Sequence, residues 1–146
     1  VFIAIEQQAR RQHLATMLRK QRQVVPINAI HPSAIIAESA TLGCGNLIGA
    51  SVHVGADTTL GSYCILHTQA TIEHDAVVQD FVQVGAGSVV GAGVTLNEHV
   101  FVGAGAIVVA SVAIGTAASI GAGSVVLENV KSGQAVLGNP ATPVKI

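Results

Sequence analysis

From Ile30 to Val126 every sixth residue is aliphatic, a run of 17 positions that passes through Ile48, Leu66, Val84, Val102 and Ile120 without a slip. Val, Ile and Leu supply 44 of the 146 residues, so such a run, in any register, arises by chance roughly once in 10^8 sequences. A period of six suits neither a helix nor an ordinary strand, which bury every 3.6 or every second residue. It suits a short strand, a corner and a return to the same wall.

A second rule runs inside each hexad. The position four after the aliphatic is small or β-branched, as at Ala40, Cys64, Ala70, Ala76, Ser88, Ala106 and Ser124. A large inward residue followed by a small one is what a narrow corner admits. Nine of the 16 glycines directly follow the aliphatic, where the backbone must turn or something must approach closely. Repeats of this kind imply a mainly β chain, coiled as a parallel β-helix.

The [LIV]-G-x4 hexads resemble those of the left-handed β-helix acyltransferases, in which three hexads make one triangular coil. The resemblance implies a left-handed hand, five to six coils over residues 29–130, and side chains stacked in columns 18 residues apart. A right-handed coil would otherwise be the default for parallel β crossovers. Residues 131–146 then form an exit segment.

Composition narrows the function. Half the residues are apolar and only 10% are charged, which suits a packed chain rather than a disordered one. The formal net charge of -1 argues against a general nucleic-acid binder. The apolar residues are dispersed in hexads, so no run is long enough to span a membrane, and no signal peptide is read. Cys44 and Cys64 occupy different hexad positions, so a disulfide is not expected and a cytoplasmic location is.

Residues 1–28 precede the repeat. Val1 to Ile5 reads as a strand, Gln7 to Gln21 as a helix with Leu14, Met17 and Leu18 on one side, and Val24 to Ile27 as another strand. Arg10, Arg11, Arg19, Lys20 and Arg22 lie here, either as a solvated helix face or as a contact for a negatively charged ligand. This β-α-β piece resembles the end of the small nucleotide-sugar-binding domain that precedes the β-helix in one acetyltransferase branch, and is read as a truncated remnant of it. There the segment runs close to VFIAIGDN; here Glu6 replaces the glycine, and a carboxylate repels a diphosphate. The stretch Ile30-His31-Pro32-Ser33-Ala34-Ile35-Ile36 resembles the HPSAII opening of the same branch.

No Lys or Arg lies between Gln23 and Val130, so an anionic ligand on the coils must use backbone N–H groups, or Lys131 and Lys145 beyond them. The polar cluster with most chemistry in it is Glu73-His74-Asp75, a corner that follows the inward Ile72. It is either an ordinary surface corner or a histidine held in one tautomer by a carboxylate, as general-base chemistry requires. The segment from Thr68 to Val82 resembles the TGAxVEHDCxIGDFVH signature of sugar O- and N-acetyltransferases, those acting on sialic acid and in bacillosamine synthesis among them. The resemblance implies that His74 is the catalytic base and Asp75 raises its basicity, with Glu73 and His67 near the acceptor. Gln69 stands for a usual glycine, His67 for asparagine, Ala76 for cysteine, and Gln83 for a histidine that contacts the acetyl donor.

In the 18-residue register Gly85, Gly103 and Gly121 form one column, and Gly87, Gly105 and Gly123 a second beside it. Either the corners simply favour glycine, or the stripe is a slot for a thin ligand such as the pantetheine arm of coenzyme A. In the family, the positions of Ala104 and Ala122 contact that arm, and Ala92 offers an N–H to the thioester carbonyl. Gly138-Asn139-Pro140-Ala141 resembles the GNPA exit of these enzymes, near the adenine end, where Lys131 or Lys145 would meet a phosphate. His99 is expected to stack over Phe81 and Tyr63. A zinc site is not expected, because His67, His74 and His99 lack the spacing of the β-helix carbonic anhydrases.

The resemblance therefore implies an acetyl-CoA-dependent sugar acetyltransferase. It would be a homotrimer with sites between subunits, metal-free, transferring directly to an amine or hydroxyl of a sugar or nucleotide sugar. Neither cysteine is placed as a nucleophile. A catalytically silent trimeric scaffold, truncated or engineered, is the second reading.

Overall fold

Two-residue strands recur every six residues from Ala29–Ile30 to Val125–Val126 in the computed structural model, which describes residues 1–144. Lys145 lies outside the described residues. In each strand the second residue is the repeat aliphatic and faces the interior. From Ile48 to Val126 none of these aliphatics is more than 2% exposed. Ile30 sits on the open first rung and is exposed.

Each strand pairs in parallel with the one 18 residues on, Ala29 with Leu47 and Ile30 with Ile48 at the first step. Three sheets result, and they form the walls of a left-handed parallel β-helix of about six coils. Face one holds Leu47–Ile48, Ile65–Leu66, Gln83–Val84, Phe101–Val102 and Ser119–Ile120, and is completed by an antiparallel hairpin of Ala135–Gly138 and Ala141–Pro143. Face two includes His53–Val54, Thr71–Ile72 and Val89–Val90; face three includes Thr59–Leu60, Val77–Val78 and Thr95–Leu96. From Asn46 onward the slot four residues after each aliphatic is buried as expected, and at several polar slots the side chain finds a carbonyl on the coil above. Thr58 Oγ1 donates to the Glu73 carbonyl at 2.9 Å, Ser88 Oγ to Gly103 at 2.8 Å and the Cys64 thiol to Gln79 at 3.1 Å.

The corners separate two roles that the sequence left together. The third corner residue takes a left-handed backbone, with φ between 55° and 62° at Ser51, Asp57, Tyr63, Asp75 and His99. The first corner residue does not. Its glycines are there for close approach: a Cβ on Gly85 would lie 2.5 Å from the Ala104 nitrogen, and one on Gly103 2.5 Å from the Ala122 nitrogen.

The N-terminal segment departs from expectation in part. A helix forms over Gln8–Met17 and ends in a π-helical turn at Leu18–Arg22. The strands expected at Val1 to Ile5 and Val24 to Ile27 do not form. A single bond, Ile27 N–H to the Val1 carbonyl at 2.8 Å, joins them, and one bond does not make a ladder. Instead the segment lies against face one and its corner with face three. Ile3 and Ala15 pack there with Tyr63.

Arg11 fits neither sequence reading, because it is 1% exposed rather than solvated or free for a ligand. Its Nε donates to the Tyr63 carbonyl at 3.0 Å and its Nη1 to those of Ile5 and Glu6, at 3.1 and 2.6 Å. Its other amino group has no partner among the described residues. Burial pulls the guanidinium pKa down. Arg11 is thus a strut between the helix, the N-terminal strand-like stretch and the coil.

Candidate functional site

His74 is carried at the corner joining faces two and three. Ile72 anchors this turn in the core, and the left-handed φ of 58° at Asp75 swings its carboxylate back toward the preceding residue. As a result His74 Nδ1 lies 2.7 Å from Asp75 Oδ2. That hydrogen bond, with the charges of Asp75, Glu73 and Asp57 behind it, holds the imidazole pKa above its usual value. The contact fixes the proton on Nδ1 and leaves the Nε2 lone pair outward. Ala56 lies below and Ala92 above in the column: Asp75 N–H reaches the Ala56 carbonyl, and Gly93 N–H reaches the His74 carbonyl. Neither methyl hides the ring, which remains exposed.

The glycine stripe occupies a different corner, that joining faces one and two. Gly85, Gly103 and Gly121 lie in one column and Gly87, Gly105 and Gly123 in another, and a Cβ on any of the second three would meet nothing within 4 Å. The amides of Ala104 and Ala122 on this stripe, like that of Ala92 on the His74 corner, donate to no main-chain carbonyl among the described residues. Such unspent N–H groups on a surface without side chains suit a slender ligand carrying carbonyl or amide groups. Leu137 closes the stripe beside Gly121, and His67 stands one coil below Gly85.

His67 brings together residues that the sequence reading treated separately. Its Nε2 lies 3.0 Å from Gln83 Nε2 and 3.8 Å from Glu6 Oε1, and Gln83 Nε2 lies 3.4 Å from the same carboxylate oxygen. An amide nitrogen only donates, so this geometry has Gln83 donating both to the imidazole and to Glu6. The 16-residue separation of His67 and Gln83 is one coil less two residues, a signal present in the register; Glu6 stands out in the sequence, but nothing there connects it to these two.

Other sequence candidates lie apart. Lys131 stands on the corner joining faces three and one, where its carbonyl carbon would lie 2.7 Å from a Cβ on Gly115, so one chain does not bring it to the stripe. Glu73 flanks His74 but makes no side-chain hydrogen bond among the described residues. Tyr63, Phe81 and His99 form the expected stack, with ring centroids 5.0 and 5.2 Å apart. Burial pushes the Cys64 thiol up to about 12, so it is no nucleophile near neutral pH. Among the described residues no cluster of His, Cys, Asp and Glu could hold a metal ion, and no helix is long and apolar enough to cross a membrane.

The fold has counterparts among known proteins. The six-repeat profile of the bacterial transferase hexapeptide family matches residues 39–74. A search of curated proteins returned no match. Among solved structures, PerB from Caulobacter crescentus in complex with CoA and GDP-perosamine is 34% identical, with 99% of this chain and 69% of that one covered and a TM-score of 0.94. The acetyltransferase domain of PglB from Neisseria gonorrhoeae, in complex with acetyl coenzyme A, is 27% identical over 98% of this chain and 69% of that one, with a TM-score of 0.93. WeeI from Acinetobacter baumannii is 26% identical over 99% and 70%, also with a TM-score of 0.93.

Proposed function

We propose, for a chain that belongs to the hexapeptide-repeat sugar N-acetyltransferases and moves an acetyl group from acetyl-CoA to a sugar amine, that His74 is the general base and the glycine stripe the donor groove. The observation that carries this reading is the 2.7 Å contact of His74 Nδ1 with Asp75, which leaves Nε2 free to take a proton. As the amine attacks the thioester carbonyl its proton passes to Nε2, and Asp75 offsets the charge on the ring. The Ala92 N–H, one coil above His74 and without a main-chain acceptor among the described residues, is the donor to the oxygen that gains charge on this reading. Coenzyme A supplies the acyl group as a thioester; Ala104 and Ala122 N–H groups meet the amides of its arm, with Gly103 and Gly121 giving close approach. Transfer is direct, which agrees with the inert thiol of Cys64.

The acceptor side is the Glu73 and His67 neighbourhood, and the acceptor is an amino sugar, free or nucleotide-linked. Glu6, which repels a free diphosphate, is tied to Gln83 and His67 and belongs to this wall. Residues 1–28 are the part of the chain nearest the acceptor, residues 29–130 the catalytic coil and residues 131–146 its exit, with Lys131 at the far end.

Two copies of the chain are needed. His74 and the stripe stand on different corners of one prism with face two between them, and the outward residues of that face include Ile35, Val89, Ile107 and Val125. Packing face two around a three-fold axis covers these side chains and sets the stripe of one copy beside the His74 corner of the next. The test measures thiol release from acetyl-CoA with amino sugars and nucleotide-linked amino sugars, GDP-perosamine among them. Wild-type turnover that vanishes in His74→Ala while acetyl-CoA still binds is the expected result; near-normal turnover in that variant rules out the mechanism.

A further inference from the structure

At the lower end of the stripe the N-terminal stretch roofs a cavity of about 240 Å3. Leu47 and Ile65, successive outward residues of face one, form its floor, and Phe2, Ile3 and Ile5 its roof. His67 lines it too and stands one coil below Gly85, so the cavity belongs with the acceptor side of the site. Arg11 completes the lining. Closed to the outer surface, it can be reached only from the cavity, and its second amino group, Nη2, has no partner among the described residues.

Arg11 limits what can fill this space. Its Nε and Nη1 donate to three main-chain carbonyls, which hold the guanidinium in place but carry no net charge. The ion-pair contacts among the described residues are those of His67 with Glu6 and His74 with Asp75, so the Arg11 cation is buried with no carboxylate in contact with it. A buried cation left unpaired and a donor left unmade are both costly, and one anionic oxygen group answers both. We infer that the cavity receives a carboxylate of the acceptor, that Arg11 Nη2 donates to it, and that the acceptor is an amino sugar carrying a carboxylate rather than a neutral one. The inference rests on the assignment of the His67 neighbourhood as the acceptor side.

The rest of the lining selects among anions. Floor and roof side chains are aliphatic or aromatic and offer no donor. A carboxylate, with one charge and two oxygens, suits a single guanidinium edge. A diphosphate has more charge and more oxygens than Arg11 can meet, and the surplus would lie against hydrocarbon. A hydroxyl accepts the bond but leaves the cation unpaired. Glu6 is on the same wall, yet its side chain is 73% exposed, so water screens its charge far more than it screens that of buried Arg11. The roof can part to admit the group: between the Val1 carbonyl, which accepts from Ile27, and the Ile5 carbonyl, which accepts from Arg11, it makes no main-chain bond to the coil among the described residues. The carboxylate anchors the sugar and takes no part in the transfer itself.

Calorimetric titration of the full chain saturated with CoA compares 2-amino-2-deoxyglucuronic acid with glucosamine, which differ only in a carboxylate for a hydroxymethyl group, and the corresponding galacto pair. A charge-assisted bond to a buried guanidinium is expected to tighten binding of the acid roughly 10- to 100-fold. Leu47→Glu sets a carboxylate on the floor, where it supplies the missing anion, and removes the gain; Leu47→Gln, of the same shape without the charge, keeps it. Both variants retain acetyl-CoA binding, which shows them folded. An acid that binds no better than its neutral partner overturns the inference, and His74-dependent acetylation of a neutral amino sugar then leaves the proposed function standing. A gain that persists in Leu47→Glu also overturns it, because the carboxylate then binds elsewhere. GDP that binds the wild type and is lost from Leu47→Glu gives the cavity to a diphosphate, with the same consequence. No binding of acetyl-CoA by the wild type sinks the donor groove and this inference together.

Discussion

The Asp75 carboxylate reaches the imidazole of the residue immediately before it, Oδ2 to His74 Nδ1 at 2.7 Å, because a left-handed φ of 58° at Asp75 closes the corner. The bond and the carboxylate's charge raise the His74 pKa, so the ring holds its proton to a higher pH than a free histidine does. A base must be neutral to act. The acid limb of kcat/KM is therefore expected above the ordinary histidine value of about 6.5. In Asp75→Asn, which tolerates the same backbone, the limb moves to lower pH and the plateau falls. His74→Ala lowers turnover by roughly 10^2- to 10^4-fold. A pH–rate profile of the three proteins checks this, and an unmoved limb in Asp75→Asn contradicts the pairing.

The two glycine columns predict opposite phenotypes. A methyl on Gly103 lies 2.5 Å from the Ala122 nitrogen and 2.8 Å from its Cα, both main-chain atoms that cannot yield without parting the coils. Gly103→Ala is expected to cost stability at the upper end of roughly 1–3 kcal/mol. Gly105→Ala meets nothing within 4 Å and bears only the left-handed φ of 66°, a penalty of about 1 kcal/mol. Its methyl projects onto the stripe and weakens acetyl-CoA binding. Denaturant melts with binding titrations separate the two, and equal destabilisation would show that the coils do not approach as described.

The cysteines give a test that needs no substrate. Cys64 faces the core with its thiol pushed up to about 12 by burial, whereas Cys44 is half-buried at a corner. A thiol reagent at pH 8 is expected to label Cys44 in the native protein and to reach Cys64 only on unfolding. If transfer is direct, as proposed, alkylation of Cys44 leaves activity intact. Rapid native labelling of Cys64 contradicts the inward orientation.

Much of this molecule is legible because one number, the coil length, converts sequence separation into space. Tyr63, Phe81 and His99 are 18 residues apart and their rings stack; Gly85, Gly103 and Gly121 share a column for the same reason. The separation of His74 from the stripe was legible too, since Ala86, the matching position of the stripe's corner, lies 12 residues on, which is two thirds of a coil and not a whole one. The same arithmetic places Lys131 on the third corner. Residues 1–28 obey no such rule. Arg11 sits among polar residues of a helix, and its burial depends on carbonyls of Ile5, Glu6 and Tyr63, which no periodicity connects to it. The Glu6–His67–Gln83 contact is hidden likewise: three departures from the family signature, read one at a time, are partners in space.

Arg11 in turn predicts a local phenotype. Arg11→Ala leaves three main-chain carbonyls without their donor, a loss of about 2–4 kcal/mol felt by the N-terminal segment. Hydrogen exchange should accelerate across residues 1–22 while the amides of the coils keep their protection. Uniform loss of protection would mean that the helix and the coils unfold as one unit.

If His74 of one copy serves the stripe of the next, two inactive variants should rescue each other. His74→Ala keeps a sound stripe; Gly105→Trp blocks the stripe and keeps a sound His74. In trimers reassembled from equal amounts, a site is whole when its stripe comes from the first variant and its histidine from the second. Random assortment gives that combination at about a quarter of the interfaces, so activity is expected to recover to about a quarter of the wild-type value. A site contained in one chain gives no recovery, because every chain then carries one defect or the other. The mixture thus reads directly whether face two, which lies between the two corners, separates the halves of the site.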